Sequence, residues 1–203
     1  MKTYFRIIAS LQNILLGVSV AILALLPGTL VLYPDAVSLP ILFMYAHTSL
    51  FLVMIIRPLA DIFRSSRVIR PLVILRKGVG VFSASLIVSL IITKYILDPG
   101  GSFISMWSAD YWTLQNLTLF AHLADLSALL LLITSNNFSK KLLGANWKRI
   151  QKLSYVYFYG SGLYVYGMLG DNLVGAYLFI VTLLTIIAYF INRTKRRTAS
   201  NQA

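Results

Sequence analysis

Residues 57–77 read RPLADIFRSSRVIRPLVILRK, six cations and a single carboxylate set between two long apolar runs. Three more stretches repeat that arrangement. Lys2 and Arg6 open the chain, Lys140, Lys141, Lys148, Arg149 and Lys152 fill a later gap, and Arg193, Lys195, Arg196 and Arg197 come near its end. Seventeen of the 18 Lys and Arg residues thus occupy alternate gaps between apolar runs, with Lys94 the exception. The other gaps hold Asp35, Asp98, Asp110 and Asp171. Cations resist transfer through lipid and collect on the cytoplasmic side of membrane helices. The pattern predicts an all-α integral membrane protein: a six-transmembrane-helix bundle with both termini cytoplasmic, multi-pass in a bacterial inner (plasma) membrane.

Composition agrees. The chain has 203 residues, is 58% hydrophobic and 12% charged, and has a mean hydropathy of +0.78. That is too apolar for an ordinary water-soluble domain, and a lipid bilayer is the expected environment. The net charge of +12 does not indicate nucleic acid, because the cations are parcelled between apolar runs and form no face rich in stacking aromatics. Anionic head groups and topology account for them better. Zero cysteines excludes disulfides, thiolate catalysis and iron–sulfur clusters. No phosphate-binding glycine loop, HExxH or nucleophile–base arrangement is present, and the chain lacks glutamate, a common membrane proton-relay residue.

The expected spans are about 12–33, 39–58, 78–97, 113–134, 153–169 and 172–191, each near the roughly 20 residues that cross hydrocarbon. They make one transmembrane domain over 1–197, followed by a disordered tail at 198–203. Pro27-Gly28 is expected to kink or end span 1. Asp98-Pro99-Gly100-Gly101 should end span 3 and leave Ser102 to Trp112 as the longest outer loop, with Met106, Trp107, Tyr111 and Trp112 at the interface. Within 57–77, apolar residues interleave with Arg64, Arg67, Arg70 and Arg76. That fits either an amphipathic segment on the cytoplasmic leaflet or an ordinary positive-inside loop.

Ionisable groups inside spans are costly and therefore candidates for function. His47 lies in span 2, Lys94 in span 3, and His122 with Asp125 in span 4. Helix rise puts His47 roughly 12 Å and His122 roughly 14 Å below the outer edge, with Asp125 one turn beyond on the face of His122. Two histidines at one level suit a metal or haem iron, with Asp125 orienting His122 from behind. An interhelical hydrogen-bond cluster that fixes packing is the other reading. Lys94 is close enough to the end of its span to snorkel.

Three stretches carry a resemblance. Ile56-Arg57-Pro58-Leu59 leads to Leu75-Arg76-Lys77-Gly78-Val79-Gly80-Val81-Phe82 at the start of span 3, and Leu131-Leu132-Ile133-Thr134-Ser135 ends span 4. The most specific is Leu143-Gly144-Ala145-Asn146-Trp147-Lys148-Arg149-Ile150-Gln151-Lys152-Leu153-Ser154-Tyr155. Together they resemble the ferric-reductase-like transmembrane domain, and within it the haem-binding membrane subunit of the bacterial methionine sulfoxide reductase system (MsrQ-like), over about residues 40–190. The resemblance implies haem b, a quinone or flavin, a redox protein partner, and basic cytoplasmic loops (Arg57, Arg64, Arg67, Arg70, Arg76, Lys77, Lys148 and Arg149) that dock an anionic cofactor or partner. The family's haem histidines fall on Leu90, Gln151 and Tyr164, of which leucine cannot ligate iron. Leu90 and Tyr164 would sit at matched depths, roughly 18 Å and 17 Å from the inner edge.

Three readings of those positions stand: haem lost and its volume refilled by span-5 tyrosines, haem moved to His47 and His122, or a shifted correspondence in span 3. The functions that follow are a transmembrane electron-transfer subunit of an oxidoreductase, a haem-free membrane scaffold or assembly partner, and a small-molecule transporter using Asp125, His122 and Asn116.

Overall fold

A computed structural model describes residues 2–108, 112–114 and 117–200; the side chains of residues 2, 36, 103, 105–107 and 195–200 lie outside that description. The expectations placed on Asp110, Tyr111 and Asn116, and on the side chains of Lys2, Met106, Trp107, Lys195, Arg196 and Arg197, fall outside it as well.

Among the described residues the fold is helical, with no strand. Six long helices are α1 (Lys2–Leu32), α2 (Leu39–Ile62), α4 (Leu75–Leu97), α6 (Thr118–Thr134), α9 (Leu153–Leu169) and α10 (Asn172–Ser200). Four short ones lie between them: α3 (Ile69–Leu72), α5 (Pro99–Trp107), α7 (Asn137–Leu143) and α8 (Asn146–Ile150). A single 3-10 turn, Pro34–Ala36, joins α1 to α2. Four helical stretches are long and apolar enough to cross a membrane: Thr3–Leu32, Leu39–Ile62, Ile69–Leu97 and Asn172–Thr194. A fifth is reached if α6 and α7, bent by 97° at their junction, count as one broken span. Large apolar side chains such as Val20, Leu25, Phe179 and Phe190 stand exposed on these helices, as a lipid-facing surface requires.

Helices α2, α4, α6 and α9 form a ring in which α2 and α6 each pack on both α4 and α9. Helix α1 covers the outside of α4, and α10 lies across α2 and α9. Small residues allow the close approaches, as between helices in lipid. A Cβ on Gly160 of α9 would come within 2.8 Å of the Phe120 carbonyl of α6, and one on Gly78 of α4 within 3.2 Å of the Gln12 carbonyl of α1. Buried serines tie α4 to two neighbours. Ser83 Oγ donates to Ala46 O of α2 at 2.9 Å, and Ser89 Oγ reaches Ile22 O of α1 at 3.4 Å. On the other flank Thr48 pairs with Tyr177 and Tyr159 with Thr182, holding α10 in place.

Several boundaries differ from expectation. Helix α1 begins at Lys2 rather than near 12, and runs through Pro27 to Leu32, within a residue of the expected end; Pro27 is buried, and within a packed helix one lost backbone bond is tolerated. Asp98-Pro99 ends one helix and starts the next: Asp98 Oδ1 accepts from Gly101 N at 2.9 Å, and Pro99 occupies the first position of α5, where no donor is needed. Residues 102–107 of the expected outer loop are therefore helix. Helix α6 begins at Thr118, not 113, after Leu117 adopts a left-handed backbone with φ 53°. At the far end, α10 continues through Ser200, three residues into the tail expected to be disordered.

Candidate functional site

The basic segments meet at one end of the bundle. Tyr4 Oη donates to Val68 O at 3.0 Å, joining the start of α1 to the 57–77 connection, and Arg64 bonds Asn192 of α10. Between α2, α4, α6 and the α7–α8 segment this end opens into a cleft of about 920 Å³. Its rim carries Arg57, Arg76, Lys77, Lys140, Lys148 and Lys152, against one carboxylate, Asp61. Asp61 is already engaged by Arg57, Nε to Oδ2 at 3.3 Å. The floor is apolar, built from Leu50, Val53, Ala84 and Leu131. A smaller hollow of about 430 Å³, bordered by Arg64 and Arg70, shares Arg57 and Asp61 with it.

The walls are set by specific contacts. Trp147 Nε1 donates to Thr134 O at 3.0 Å, pinning α8 to the exposed carbonyls at the end of α6. Lys140 Nζ lies 5.4 Å from the centre of the Trp147 ring, a cation–π distance that holds the ammonium at the rim. Arg76 Nε donates to Val53 O at 3.1 Å, orienting its guanidinium along α2. Gln151 Nε2 is buried in this lining without a hydrogen-bond partner. A buried amide donor with nothing to bind is costly; the cleft itself presents excess positive charge.

Of the basic residues expected to dock an anion, Arg57, Arg76, Lys77 and Lys148 line the large cleft, while Arg64 and Arg70 line the smaller one. Arg67 and Arg149 are exposed and line neither. Lys140 and Lys152 were not singled out, although both sit in the Trp147 segment. Their recruitment depends on the fold-back of α7 and α8, which charge pattern alone does not reveal.

His47 is eight residues into α2, and His122 is four residues into α6. Their helices lie diagonally across the ring, and their neighbours differ. Asp171 at the α9–α10 turn acts on His47, while Lys94 acts on His122 and Asp125, and Trp112 stacks edge-on to His122 with centroids 5.8 Å apart. His47 Nδ1 lies 2.8 Å from Phe43 O. A carbonyl only accepts, so that nitrogen carries the proton, leaving the buried Nε2, which has no partner, as an acceptor.

At the positions matching the family's ligands, Leu90 packs against the core, Tyr164 is half-buried on α9, and Gln151 lines the basic cleft. Within the ring, the Tyr157 hydroxyl pairs with Ser83 Oγ at 3.0 Å, among Ala46, Ala84, Ala124 and Ala128, and Tyr157 and Ala84 also line the cleft. The 2.8 Å approach at Gly160 leaves α6 and α9 in backbone contact. Among the described residues no group of three His, Cys, Asp or Glu side chains gathers to hold a metal ion. Comparison with family models, curated proteins and solved structures found no match.

Proposed function

We propose that this chain is a six-span, haem-free relative of the ferric-reductase-like membrane domain that serves as a membrane scaffold or assembly partner for another protein. The spans are α1, α2, α4, α6, α9 and α10. Helices α6 and α9, with 17 residues each, measure roughly 25 Å, close to the hydrocarbon thickness. The basic end faces the cytoplasm, as the cost of moving cations across lipid favours. Its cleft is the face offered to the interior of the cell.

The observation that carries the haem-free reading is the chemistry at the positions matching the family's ligands, where Leu90 offers no atom that can bind iron and Gln151 and Tyr164 stand in place of histidines. A second reading, electron transfer through a haem on His47, is favoured by the buried Nε2 that lacks a partner. One spectrum separates them. Full-length protein purified after expression with ample haem should show no Soret band. A stoichiometric band abolished by His47→Ala would overturn the scaffold reading and install the electron-transfer one.

A further inference from the structure

We infer that the basic cleft is a binding site for one anionic phospholipid, its phosphate held by cations at the rim and its glycerol and first methylenes resting on the apolar floor. Three observations converge. The rim holds six cations whose only carboxylate neighbour, Asp61, is already paired with Arg57. Arg76 is fixed in the lining by its Nε bond to Val53 O at 3.1 Å, which places its guanidinium at the cleft. Leu50, Val53 and Leu131, apolar core residues, also line the cleft.

A soluble anion would satisfy the rim and leave the floor idle; a neutral lipid would do the reverse. The cleft volume of about 920 Å³ lies at the upper end of the range for small-molecule sites, enough for a head group and glycerol but not for whole acyl chains. On the six-span arrangement proposed above, on which this inference rests, the cleft lies where the helices leave the apolar layer, the level at which lipid phosphates reside. The inference does not depend on whether the chain binds haem.

Native mass spectrometry of the full chain in detergent tests it. The protein is titrated with phosphatidylglycerol, with phosphatidylcholine of the same acyl chains, and separately with pyrophosphate. One phosphatidylglycerol should bind in preference to phosphatidylcholine. Lys148→Gln with Lys152→Gln changes two exposed residues and should weaken that adduct roughly 30-fold, given about one kcal/mol per cation at an anionic surface. Arg substitutions at both positions should retain it. Arg6→Gln with Arg193→Gln removes equal charge away from the cleft and should alter binding by less than about 3-fold. Equal weakening by both double variants, or no preference for the anionic lipid, overturns the site. Displacement of the lipid by pyrophosphate would keep the phosphate subsite but overturn the lipid assignment.

Discussion

Tyr157 and Ser83 form the polar contact at the centre of the ring, and they are not equivalent. Ser83 Oγ also donates to Ala46 O, so it keeps a partner when the tyrosine hydroxyl is removed. Tyr157 would keep only the Ser83 carbonyl, at a strained 3.4 Å. Tyr157→Phe should therefore cost about 1 kcal/mol, and Ser83→Ala about 1–3 kcal/mol, since the latter strands a buried hydroxyl. Thermal unfolding in detergent reads both, and the double variant should cost less than the sum of the singles. His47 supplies the opposite case. Its buried Nε2 has no acceptor role in a haem-free protein, so His47→Leu should leave stability unchanged or raised by up to about 1 kcal/mol; a large loss would mean that a partner depends on it. That His47, His122 and Asp125 are polar candidates within helices is legible in sequence, because apolar runs make every ionisable residue conspicuous. Which way each points is not, because depth follows from helix rise but azimuth follows from packing.

At the scale of elements, Gly160 and Gly28 make a matched pair. Both sit inside helices, but a Cβ at Gly160 meets the backbone of α6 whereas one at Gly28 meets nothing within 4 Å. Gly160→Ala should separate α6 from α9 and lower stability by about 1–3 kcal/mol, whereas Gly28→Ala should be neutral or stabilising by up to about 1 kcal/mol. Denaturation curves that rank the two the other way would contradict the close α6–α9 packing. Trp147 sets the α7–α8 wall, and Trp147→Phe should cost about 1 kcal/mol through its bond to Thr134 while weakening the lipid adduct. Helix α9 is legible to the residue because Lys152 and Gly170 bracket a run without a charged residue. Helix α5 is not, because Asp98-Pro99-Gly100-Gly101 reads as a stop. The same aspartate and proline also cap and open a helix, and only the backbone that follows decides between the two roles. The start of α6 is misplaced for a related reason: nothing in residues 113–117 announces the left-handed turn at Leu117.

On the scale of the whole molecule, the distribution of cations foretells the gathering of residues 4–6, 57–77, 140–152 and 192–193 at one end, seen in the Tyr4–Val68 and Arg64–Asn192 contacts and in the shared cleft. The cleft itself is less legible, since Lys140, Lys152 and Gln151 reach it only after α7 and α8 fold back under α6. Both the proposed function and the lipid site take their meaning from six crossings with this end inward. The chain has no cysteine, so single cysteines report without background. Substitutions at the exposed Ser65 and Asn137 mark the basic end, and at Asp35 and Ser38 the opposite end. With a membrane-impermeant thiol reagent on intact cells, cysteines at 35 and 38 should label at once, and those at 65 and 137 only after the membrane is opened. Labelling of 65 or 137 in intact cells, or a split between those two, would contradict the six-span, basic-end-inward arrangement.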